Sequence, residues 1–74
     1  MKMSTYVENE NGETFYIDTC FTFDRGLETM VFPCDKKGRV TRWGELDVDR
    51  YSDEDKAIKG HEKMVTKWGM PFEL

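Results

Sequence analysis

The chain of 74 residues has only two cysteines, Cys20 and Cys34, two prolines and one histidine, His61. Two cysteines are too few for the disulfide framework of a small secreted domain, so a reduced, cytoplasmic setting is expected. One histidine and two isolated cysteines cannot supply the roughly four paired ligands of a structural zinc site. No stretch approaches the ~18 apolar residues that span a bilayer. Met1–Thr5 lacks the apolar run of a secretory signal. Positive charge is short as well. Eleven Lys and Arg stand against 15 Asp and Glu, a formal charge of −4. Direct binding of nucleic acid in a basic groove is therefore disfavoured. There is no Gly-rich phosphate loop, no Ser/His/Asp order and no paired catalytic carboxylate motif, so neither enzyme chemistry nor a cofactor is expected.

Aromatic residues, by contrast, are plentiful: five Phe, three Tyr and two Trp. A chain this short buries only about 60% of the surface that its unfolded form exposes, so large apolar side chains must do much of the packing. The length suits one domain, residues 1–74, and a homodimer would add to its stability. Residues 3–7 read as a short strand, and Asn9-Glu10-Asn11-Gly12 as a turn. In the next strand Phe15, Ile17, Thr19, Phe21 and Phe23 alternate with Tyr16, Asp18, Cys20 and Thr22, which puts the first set on one face. Asp24-Arg25-Gly26 is a second turn. Leu27–Phe32 is a third strand, with Pro33 ending its pairing or lying at an edge. Asp35-Lys36-Lys37-Gly38 is a third turn, and residues 39–48 read as a strand bent at Gly44.

Ser52 is positioned to cap a helix, with Asp53, Glu54 and Asp55 at its positive end. Ala57, Ile58, His61, Met64, Val65 and Trp68 define its buried stripe. Gly69 and Pro71 end it, and Met70–Leu74 reads as an apolar tail that folds back. The expected fold is therefore α+β: a three- to four-stranded antiparallel β-meander followed by one C-terminal α-helix packed on the sheet.

Four groups of residues could carry function. His61, on the apolar face of the helix, reads either as a general base or ligand, or as a core histidine bonded to a strand. A Cys–His pair would need Cys20 or Cys34 beside it. The acidic stretch Glu45, Asp47, Asp49, Asp53, Glu54 and Asp55 surrounds a single Arg50. Alternate acids on a strand would share a face about 6.6 Å apart. That pattern reads either as a phosphate-mimicking surface or as a solvated, aggregation-resistant edge with helix capping. A calcium loop is excluded, because Tyr51 and Ser52 stand where the loop needs Asp or Asn and Gly. Finally, Tyr16, Trp43 and Tyr6 are expected on the sheet face away from the helix, as a partner surface or beneath the termini.

Glu28-Thr29-Met30-Val31-Phe32, then Arg50-Tyr51, then Gly60-His61-Glu62-Lys63-Met64-Val65 form an ordered set of motifs. Over about residues 19–68 the chain resembles short uncharacterised proteins frequent in bacteriophages and prophages, which carry E-T-M-V-F, R-Y and G-H-x-x-M-V in this order. Thr19-Cys20-Phe21 with Asp24 is similar to their preceding strand, whereas the Arg25-Gly26 connection is shorter than that pattern. The resemblance implies a phage-related origin and no defined activity. With it, the expected function is a small interaction protein in the host cytoplasm that binds and inhibits a host or defence protein. The surface expected to carry it comprises Trp43, Glu45, Asp47, Asp49, Arg50, Asp53, Glu54, Asp55 and His61. The alternative is an oligomeric protein that sequesters a nucleotide signal through Arg39, Arg42, Trp43, Arg50 and His61. Gly60 is expected to bring the helix close to the sheet. Glu28, Arg50, Tyr51 and His61 are expected to form one buried polar network.

Overall fold

The computed structural model describes residues 1–74. Its elements are β1 (Lys2–Glu8), β2 (Thr14–Thr22), β3 (Gly26–Cys34), β4 (Asp47–Tyr51), α1 (Glu54–Trp68) and β5 (Met70–Pro71). The strands form one antiparallel sheet in the order β4-β3-β2-β1-β5, with α1 packed on one face. The α+β architecture is as the sequence indicates, but with five strands. The fifth is the tail itself, where Met70 and Pro71 pair with Glu8 and Val7.

Register fixes the two faces. Thr5, Ile17, Val31 and Asp47 align across four strands, as do Tyr6, Tyr16 and Phe32 across three. Period-2 alternation sends the first row towards the helix and the second away from it. Under α1, Val7, Phe15, Ile17, Val31 and Met64 form the core, with Val65 and Trp68 against it. The Trp68 ring meets Phe15 edge-on at 5.0 Å. Ala57, His61 and Met64 are the buried helix positions, and Ile58 is exposed, so the stripe is narrower than its sequence pattern indicates. Phe21 and Phe23 also lie open to solvent. Phe23 belongs to the tight connection closed by the Thr22–Gly26 pair, so it cannot extend the buried row.

Two boundaries differ from the sequence reading. Residues 39–48 are not a strand. Val40 makes one isolated bridge to Cys34, and the chain then runs irregularly to Asp47. The paired segment is instead Asp47–Tyr51, whose acids are poor strand formers. Pairing with β3 places them there regardless. Pro33 remains within β3, opposite Phe15. Its missing N–H would face the β4 side, and β4 pairs only as far as Val31, so no ladder bond is lost.

The helix start also differs. Asp53, rather than Ser52, is the N-cap, and its carboxylate accepts from the Lys56 N–H at 2.8 Å. Ser52 Oγ accepts from Lys56 Nζ instead. Gly69 ends α1, donating its N–H to the Val65 carbonyl.

Candidate functional site

A continuous polar chain lies between α1 and the sheet. Tyr51 Oη donates to Thr29 Oγ1 at 2.8 Å. Thr29 and Thr19, a cross-strand pair, have their hydroxyl oxygens 2.5 Å apart. Thr19 Oγ1 is 2.6 Å from His61 Nδ1, and His61 Nε2 is 2.8 Å from Thr5 Oγ1. A neutral imidazole protonated on Nε2 carries the chain in one continuous direction. Tyr51 donates to Thr29, Thr29 to Thr19, Thr19 to Nδ1, and Nε2–H to Thr5. That order requires neutral imidazole. Burial favours the same state, pushing the His61 pKa below its ordinary value against the charges of Asp18 and Glu62.

Gly60 makes this approach possible. A Cβ there would collide with the Tyr51 ring, so the ring occupies the space that a side chain would fill. The expected close approach at Gly60 and the inward direction of His61 both hold. The expected single network does not. Glu28 and Arg50 share the opposite face of the sheet, so two polar systems exist where one was anticipated.

On that opposite face Glu28 is fully buried, with Oε2 3.3 Å from Arg50 Nε and Oε1 3.8 Å from Arg25. Beside it Asp18 is paired with Lys2 Nζ at 2.6 Å. The rest of the face is aromatic. Phe72, Tyr6, Tyr16, Phe32 and Trp43 succeed one another with centroid separations of 6.2, 5.1, 6.4 and 5.1 Å. Phe32 is buried within this row, whereas Trp43 is 70% exposed at its end. Val48, paired with Met30, is exposed on the same side, and Leu46 is exposed just before β4. Tyr6, Tyr16 and Trp43 thus meet on the helix-free face, and the C-terminal tail covers part of it through Phe72.

The acidic residues divide by task. Asp47 accepts from Lys67 Nζ at 2.7 Å and Trp68 Nε1 at 3.0 Å, fastening the end of α1 to β4. Those bonds, the lysine's first, hold its carboxyl below the usual carboxylate range. Asp47 and Asp49 also accept from the N–H groups of Val48 and Arg50 at 3.0 Å, on the outer side of the edge strand. Asp53 caps the helix. The Glu45, Glu54 and Asp55 side chains are exposed and make no hydrogen bond or ion pair.

Other proposed groupings are not brought together. Cys20 and Cys34 project to the helix-free side, away from His61, and burial raises both thiol pKa values. Arg39 pairs with Asp35 at 3.3 Å, and His61 is under the helix, so neither joins Arg42, Trp43 and Arg50. No three His, Cys, Asp or Glu side chains converge as a metal would require. No helix is long and apolar enough to cross a membrane. Sequence reasoning missed Thr5, Thr19 and Thr29 as members of the polar chain. The signal was present in Thr19, a hydroxyl on the apolar side of the β2 alternation. No protein-family model, curated protein or solved structure matches the chain.

Proposed function

We propose that this chain is a non-enzymatic interaction protein that binds, and by binding inhibits, a host or defence protein, with Trp43 as its apolar anchor. The observation that carries the reading is the exposed Trp43 held edge-on against buried Phe32 at 5.1 Å. A fixed, exposed tryptophan contributes a large contact area at small entropic cost, and such residues dominate binding energy at protein interfaces. Val48, exposed on the same face, adds apolar surface. Glu45 supplies negative charge in the loop that carries Trp43, Glu54 and Asp55 supply it at the helix start, and the chain's net charge is −4. The partner surface that fits is an apolar pocket with a basic rim. Complementary charge of this kind acts chiefly on the association rate and on specificity.

The test is affinity capture from host lysate with three proteins in parallel: wild type, Trp43→Ala, and Glu45→Lys/Glu54→Lys/Asp55→Lys. One stoichiometric protein should be retained by wild type. Trp43→Ala should weaken its binding at least about 30-fold, as a hot-spot truncation of about 2 kcal/mol does. The charge variant should slow association and reduce its salt dependence, with circular dichroism unchanged in both. Retention that neither variant alters would overturn the assignment of this surface.

A further inference from the structure

The two edges of the sheet are finished differently. On β4 the outward N–H groups of Val48 and Arg50 are occupied by the Asp47 and Asp49 carboxylates. On β1 the outward groups are only partly occupied. Phe72 N–H bonds the Tyr6 carbonyl from the β5 side, whereas Phe21 N–H bonds the Met1 carbonyl from the β2 side. Even-numbered residues of β1 therefore face outward and odd-numbered ones face β2. β5 reaches only Val7 and Glu8, so the N–H and C=O groups of Lys2 and Ser4 face no strand. Edges are commonly guarded by proline, a bulge or a free lysine. β1 has no proline, its register with β2 is uninterrupted, and Lys2 is bound to Asp18 on the helix-free face.

An apolar groove of about 430 Å³ flanks this edge on the helix side. Thr5, His61, Val65, Thr66, Met70 and Pro71 are among the residues that line it. A further strand along β1 would lower alternate side chains towards it.

We propose that β1 of a second copy of this chain occupies the edge, antiparallel and centred on Met3, joining the two sheets into one. This occupant follows from register. Pairing centred on Met3 sets Lys2 opposite the partner's Ser4, so each copy uses the backbone groups that β2 and β5 leave free. Centring on Ser4 would set the partner's Lys2 against Tyr6, whose carbonyl already accepts from Phe72. The Met3 register also brings the partner's Met1 opposite Thr5, on the groove side. Main-chain bonds then supply affinity and the groove supplies fit. The assembly leaves Trp43, at the β3–β4 end, unobstructed.

Light scattering of the full chain across a concentration series tests this. Twice the monomer mass is expected, with the Lys2 and Ser4 amides protected from exchange. Ser4→Pro removes an outward donor and no β1–β2 bond, and should give a monomer with unchanged circular dichroism. A second variant keeps the test informative if that one folds poorly. In a Cys20→Ser background, Met3→Cys should form an intermolecular disulfide on mild oxidation, because facing Cα atoms at such a site lie about 4.5 Å apart. Ser4→Cys should not. A monomer at all concentrations, a dimer unaffected by Ser4→Pro, or cross-linking through Ser4→Cys alone would each overturn the proposal. So would protection of Lys2 and Ser4 that arises only when a different protein is added. Trp43→Ala should leave the mass unchanged, which separates this result from the interface assigned to Trp43.

Discussion

Thr19 holds the middle of the buried polar chain, bonding Thr29 on one side and His61 on the other. Thr19→Val keeps the shape of the side chain and removes both bonds. Buried partners left without a bond cost about 1–3 kcal/mol. Urea denaturation should show a loss of that size without a change in secondary structure. His61 gives the same chain a pH dependence. Its folded pKa lies below the ordinary value of about 6.5, so below that pH the unfolded chain takes up a proton that the folded chain resists. The stabilisation is complete above about pH 6.5 and is lost as pH falls towards the depressed folded value. Unfolding midpoints measured from about pH 7.5 down to 5 should decline for wild type and stay flatter for His61→Gln. Asp47, depressed from the ordinary carboxylate range, acts in a separate window below about pH 4.

For the elements, local chemistry explains most of what could be read in advance. Alternation in β2 places Phe15, Ile17 and Thr19 beneath the helix, and the turn glycines Gly12, Gly26 and Gly38 all have positive φ. β4 was misplaced because its Asp-rich sequence has little strand preference, and what holds it is pairing to β3 together with the Asp47–Trp68 contact. Neither is visible locally. Gly60 shows the reverse case, a residue whose role was legible because a glycine inside a helix otherwise costs about 1 kcal/mol relative to alanine. Gly60→Ala should gain that propensity yet still destabilise the fold by about 1–3 kcal/mol, since its methyl group meets the Tyr51 ring. Combining it with Tyr51→Val should recover part of the loss. A double-mutant cycle without coupling would show that the ring does not fill this space.

Across the whole molecule, the sheet separates two polar systems that the sequence suggested were one. For Glu28, Arg50, Tyr51 and His61, no pattern along the chain states which side of a strand a neighbour takes once β4 is misplaced. Arg50 and Tyr51 are adjacent and therefore point to opposite faces. Tyr51 joins Thr29, Thr19 and His61, whereas Arg50 joins Glu28 and Arg25. The candidate surface was read in the same incomplete way: Trp43 was legible as an exposed aromatic, but its support by Phe32 depends on how β3 and the following loop pack. Additivity tests the separation. Thr19→Val and Arg50→Ala share no partner, so their combined effect on unfolding free energy should equal the sum of the single effects within about 0.5 kcal/mol. Thr19→Val and Tyr51→Phe both act on Thr29, and removing the second bond from a chain already broken should cost less than removing it alone. A coupling of Thr19 to Arg50 as large as that to Tyr51 would mean that the two faces respond as a unit.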